Sequence, residues 1–103
     1  MRVMFEVSMA TEAANEVTKR GELGSTIRSI LEQTKPEAIY FGAKDGKRTA
    51  YMVVDMADAS QIPAIAEPWF LAFNAEVSFQ PVMAPEDLAK AGPQIEAAVK
   101  KFG

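Results

Sequence analysis

Glu6 is the side chain in this sequence best placed to do chemistry, because it interrupts an otherwise apolar alternation in Arg2–Ser8. A carboxylate enclosed at such a position would be pushed toward its neutral form and could serve as a base. Tyr40 and Tyr51 lie in two further apolar runs and offer phenol hydroxyls able to orient a phenol or enol. Together the three residues describe a cofactor-free oxygenase or isomerase acting on an enolisable or aromatic substrate, with Glu6 as catalytic base and a tyrosine as hydrogen-bond donor. The same carboxylate is also explained without a reaction, as a charge paired with Arg2 or Arg48 in a subunit interface. Paired interface charges outnumber catalytic ones, so the pairing is the favoured reading. Tyr40, Tyr51, Trp69 and Gln80 are the candidate binding residues. Trp69, at helical spacing, is expected in the core, with a place at a pocket mouth as its alternative. Asp55 is expected to cap a turn or helix beside Asp58, and Glu67 to be solvated.

Much other chemistry is excluded by composition. The 103 residues include no cysteine and no histidine. A thiolate nucleophile, a disulfide, the commonest zinc ligands and the usual neutral-pH base are therefore missing, and no metal or cofactor is implied. Gly42-Ala-Lys-Asp-Gly46-Lys47-Arg48 is superficially like a phosphate loop. It is one residue short between glycines, lacks the Ser or Thr after Lys, and leads into a strand rather than a helix. Met1–Val7 and Arg48–Val54 could pair as in an RNA-recognition domain, with Tyr51 as a stacking platform, and an RNA-binding module is kept as a third alternative. The glycine-aromatic pattern of that family is missing, and a net charge of −3 with only scattered basic pairs argues against nucleic acid. MRVMFEVS is too short for the apolar part of a signal peptide and no apolar run approaches membrane-spanning length, so no membrane association is expected and the cytoplasm is the expected location.

The elements that must position these residues follow from periodicity. Val3, Phe5 and Val7 alternate with Arg2, Met4, Glu6 and Ser8, a half-buried strand. Thr11 can cap a short helix that Gly21 stops, and Leu23, Ile27, Ile30, Leu31 and Thr34 form the stripe of a second helix that ends before Pro36. Ala38–Met56 reads as a hairpin about a type I′ turn at Asp45-Gly46. That turn places Thr49, Tyr51, Val53 and Asp55 on one face and Ala50, Met52, Val54 and Met56 on the apolar other. Ile62, Ile65, Trp69 and Phe73 mark an amphipathic helix with Ser60 as cap and a kink near Glu67 imposed by Pro68, which Asn74 can end. Ala75–Met83 alternates again, and Pro81 demotes it to an edge strand. Pro85 opens a tail that breaks at Gly92-Pro93 and resumes with an apolar stripe of Ile95, Val99 and Phe102. Such a stripe needs a surface to cover.

One domain, residues 1–103, accommodates this order: an α+β, ferredoxin-like βαββαβ fold with a four-stranded antiparallel sheet, helices on one face and a C-terminal helix. The runs KPEAIYFGAKDGKRTAYMVVDM and IPAIAEPWFLAFNAEVSFQPVM are similar to a family of small uncharacterised proteins of the dimeric α+β-barrel type. The resemblance implies a homodimer in which two open sheet faces stack around a barrel that often holds a small ligand. It implies no reaction, and no catalytic set carries over. The expected function is a small homodimeric barrel that binds a small, partly apolar molecule or plays a structural or regulatory role.

Overall fold

Alternation puts Arg2–Ser8 at the centre of the sheet. In the computed structural model, which describes residues 1–103, β1 (Arg2–Ser8) pairs antiparallel with both β3 (Lys47–Asp55) and β4 (Glu76–Pro81). The strand β2 (Ala38–Lys44) pairs with β3, giving the order β2-β3-β1-β4. Helices α1 (Thr11–Lys19) and α2 (Leu23–Thr34) connect β1 to β2, and α3 (Ile62–Phe73) connects β3 to β4. Two more helices, α4 (Pro85–Lys90) and α5 (Gly92–Phe102), follow the last strand. This is the expected α+β, ferredoxin-like arrangement.

Register sorts the side chains into a dry face and an open one. Val3, Phe5 and Val7 join Ala50, Met52 and Val54 in a core closed by Ala14, Val17, Ile30, Ile65, Trp69 and Phe73. Burying each of the larger of these side chains contributes about 1.5–3 kcal/mol. Phe5 stacks on Phe79 of the neighbouring strand with ring centroids 5.2 Å apart, and Trp69 tilts against Phe73 at 5.9 Å.

The connections obey backbone chemistry. Asp45 and Gly46 take φ of 54° and 76°, as a type I′ turn demands, and set the register from Lys44↔Lys47 to Ala38↔Val53. Gly21, with φ of 73°, divides α1 from α2. Lys35 and Asn74 end α2 and α3 in the left-handed region, each at φ 47°. Pro68 lies inside α3 without ending it.

Three caps differ from expectation. Thr11 is the first helical residue of α1, and Ala10, which has no acceptor, stands at its cap. Asp58 rather than Ser60 caps the 3-10 turn Ala59–Gln61 that leads into α3. Its Oδ1 accepts from the Ser60 amide at 2.7 Å and from the Ser60 hydroxyl, while Gln61 Oε1 accepts from the Ala57 amide at 2.6 Å. A carboxylate is the stronger acceptor, so Ser60 serves as donor to it. Asp55 does not cap either; it accepts from the amino group of Met1 at 3.0 Å.

The C-terminal segment departs from the body. The radius of gyration is 17.2 Å, against about 13 Å for a compact chain of this length.

Two outcomes follow from this packing. Trp69→Ala should cost about 3–5 kcal/mol in urea denaturation, the penalty of an emptied aromatic site. The hydroxyl and amide of Ser60 hold the Asp58 carboxyl below the usual carboxylate range. A depressed acid stabilises the fold above its unfolded pKa and loses that contribution as pH falls through its folded one. Melting curves should therefore show wild type above Asp58→Ala at neutral pH, with the gap closing as pH drops below about 4.

Candidate functional site

The face of the sheet away from α1–α3 gathers the candidate residues in rows. Side chains directly opposite across a ladder share a face. Tyr40, Tyr51, Glu6 and Ser78 form one row across β2-β3-β1-β4. Ala38, Val53, Met4 and Gln80 form a second, and Gly42, Thr49, Ser8 and Glu76 a third. Met4, Glu6, Tyr51, Ser78 and Gln80 wall a pit of about 170 Å³. A more polar pit of similar size lies beyond Glu6, among Ser8, Lys44, Lys47 and Glu76. Glu6 stands between the two.

Glu6 is held from β2. Lys44 Nζ donates to both of its carboxylate oxygens, at 3.0 and 3.1 Å. Neither expected partner takes this place, and the strand geometry explains why. Arg2 lies four residues along the same strand, about 13 Å away, and binds Glu37 at 2.9 Å instead. Arg48 alternates with Thr49, so it faces the helices and donates to Asn15 Oδ1 at 2.8 Å. Lys44 follows Tyr40 and Gly42 on the open side of β2, and the small residues Gly42 and Thr49 leave its chain room to reach β1. The hydrogen bond to Glu6, then the charge of Glu6, raise the Lys44 ammonium above the usual lysine range.

The tyrosines differ in exposure. Tyr51 is half-buried, its ring edge 3.9 Å from where a side chain on Gly42 would begin, so the glycine provides the floor on which the ring rests. Tyr40, its direct neighbour on β2, is 71% exposed. Thr49 has the open-face register yet is buried, its hydroxyl donating to the Lys47 carbonyl at 3.1 Å. Trp69 lies on the other side of the sheet, enclosed in the core, with its indole Nε1 unpartnered. Of the residues singled out in the sequence, Glu6, Tyr51 and Gln80 share one pit, Tyr40 flanks it and Trp69 is separate. Lys44 was not among them, and its parity with Tyr40 is the signal that puts it on this face.

A family model described as a domain of unknown function (DUF3303) matches residues 1–96. No curated protein matches the chain. Among solved structures, the chain is similar to the de novo designed protein Ferredog-Diesel, with 16% identity over 79% of this chain and 85% of that one and a TM-score of 0.48.

The Glu6–Lys44 pair makes a spectroscopic prediction. In Glu6→Gln, the Lys44 ammonium should lose its anchor and titrate closer to ordinary lysines, read from the ε-methylene carbon by NMR. The fold should survive, because an exposed pair contributes little to stability.

Proposed function

The chain belongs to the DUF3303 family, a domain of unknown function, and from that premise we propose that it works as a cytoplasmic homodimer whose open sheet faces stack around a small, partly apolar molecule. The observation that carries this reading is the composition of the open face. Met4, Tyr40 and Tyr51 give it apolar area, Glu6, Ser78 and Gln80 give it convergent polar groups, and no helix of the same chain covers it. Small-molecule sites combine a mostly apolar lining with a few polar groups in about 300–1,000 Å³. One pit of about 170 Å³ is too small alone. Two facing pits reach the lower end of that range. Stacked faces also supply two-fold symmetry, in which each protomer contributes the same wall.

Binding fits the site better than turnover. Both oxygens of Glu6 already accept from Lys44, so a substrate proton would have to displace an ammonium. The pair serves instead as a fixed dipole that orients a ligand hydroxyl or carbonyl. Nucleic acid is disfavoured by the same face, where Glu6 and Glu76 offset Lys44 and Lys47.

Light scattering coupled to size exclusion tests the dimer. The wild type should elute as a dimer, and Tyr51→Arg, which places a charge at the centre of the face, should elute as a folded monomer by circular dichroism. Fluorescence titration with 1-naphthol should then detect one site per wild-type dimer and none in Tyr51→Arg. A wild-type monomer at micromolar concentration, or equal 1-naphthol binding by both proteins, would overturn the reading.

A further inference from the structure

Beyond Val82 the chain forms an arm with nothing of its own to rest on. Helix α5 packs to any extent only on α4, and every residue from Pro93 to Gly103 is exposed. The two helices follow one another with only Ala91 between them. Its amide closes α4 on Asp87 O at 3.3 Å, and its carbonyl accepts the Ile95 amide of α5 at 3.1 Å. Pro93 falls in the first turn of α5, where its missing donor is tolerated. At 1.5 Å per residue the eleven residues of α5 span about 16 Å. Leu88, Ala91, Ile95, Val99 and Phe102 recur at three- and four-residue spacings and form one apolar stripe. An isolated helix of this length is marginal in water and owes its stability to packing of its apolar face.

The body carries a matching vacancy. Leu23 and Ile27 of α2, Met9, and Phe41 of β2 wall an open groove of about 450 Å³. It exists because α2 packs toward α1 and α3, leaving the helix side of β2 bare at Phe41, which is 53% exposed. An apolar groove of this kind is what an amphipathic helix recognises.

The arm and the groove of one chain lie at opposite corners. The arm leaves edge strand β4 beside Arg2, where the Val82 amide donates to Arg2 O at 3.0 Å. The groove follows the other edge, β2, at the Thr49 end. Three strand spacings, about 14 Å, and the length of β1, about 23 Å, separate them. A fold-back would have to cross the open face or ride over the helices, whereas a second copy offers the same groove without that detour. Area points the same way. The open face measures about 450 Å² in projection, a modest base for the roughly 800 Å² of accessible surface per partner that a stable interface buries. An arm seated in each groove supplies the remainder.

We propose that the chain dimerises by exchanging arms, the Leu88–Phe102 stripe of each protomer seating in the Leu23–Ile27–Phe41 groove of a second copy. This rests on the homodimer proposed above and adds a contact separable from the stacked faces.

The absence of cysteine makes a clean crosslinking test. Val99→Cys and Ile27→Cys chains of different mass, mixed at equal concentration and mildly oxidised, should yield a disulfide joining one of each. The added pair Ile95→Asp and Phe102→Asp, at exposed positions outside the body, should abolish that product and weaken dimerisation about tenfold or more. A chain carrying both cysteines, diluted into excess cysteine-free protein, should form no internal bridge. An internal bridge would show that the arm folds back and would overturn the proposal. So would a dimer that forms no crosslink and ignores the two aspartates; the stacked faces would then survive as the sole contact. A crosslink that persists in a Tyr51→Arg background would sustain arm exchange while removing the stacked faces.

Discussion

The structure depends on β1 being hydrogen-bonded on both edges while alternating strictly between two environments. With β3 and β4 fixed on either side, no residue of β1 can change faces without every one of its neighbours slipping register. Val3, Phe5 and Val7 are committed to the core, and that commitment alone delivers Met4, Glu6 and Ser8 to the opposite side. The candidate site is therefore a by-product of core formation. Its spacing is as rigid as the sheet, which suits a surface that recognises another surface or a small ligand.

Features governed by local rules were readable in the sequence. The hairpin turn, the division of α1 from α2 at Gly21, the stop at Asn74 and the edge position of β4 each follow from one residue's backbone preference. The two faces of β3 follow from counting by two. Features set by competition among nearby groups were not. Asp58 and Ser60 are both good caps, and the outcome turns on which is donor and which acceptor once the 3-10 turn has formed. Thr11 lost its expected role because α1 begins one residue earlier than a side-chain cap would allow.

The partner of Glu6 illustrates the same limit across the sheet. Sequence supplies eleven lysines and arginines, but only strand order and parity decide among Arg2, Arg48 and Lys44. Arg48 fails on parity and Arg2 on distance along the strand, while Lys44 succeeds from two strands away because Gly42 and Thr49 are small. That pairing changes the chemistry of the face. Both oxygens of the carboxylate that stands alone in the sequence are occupied by Lys44 Nζ.

This has a bearing on how two copies would meet. Stacking the open faces brings two Glu6–Lys44 pairs out of water, and desolvating ion pairs opposes association unless their remaining hydrogen-bonding capacity is met. The tyrosines and Met4 offset part of that cost, so the face by itself is a weak driver. The arm is chemically different: its stripe is apolar, and its lysines at 100 and 101 lie in the last turn. Under arm exchange the hydrophobic gain comes from the Leu23–Ile27–Phe41 groove, remote from the ion pairs, and the sheet faces need not exclude all water to be held together. A chamber assembled in this way keeps its Glu6–Lys44 pairs in contact with water. The selectivity of the pit is then set by the open face, and the affinity of the two chains by the open face and the arm together.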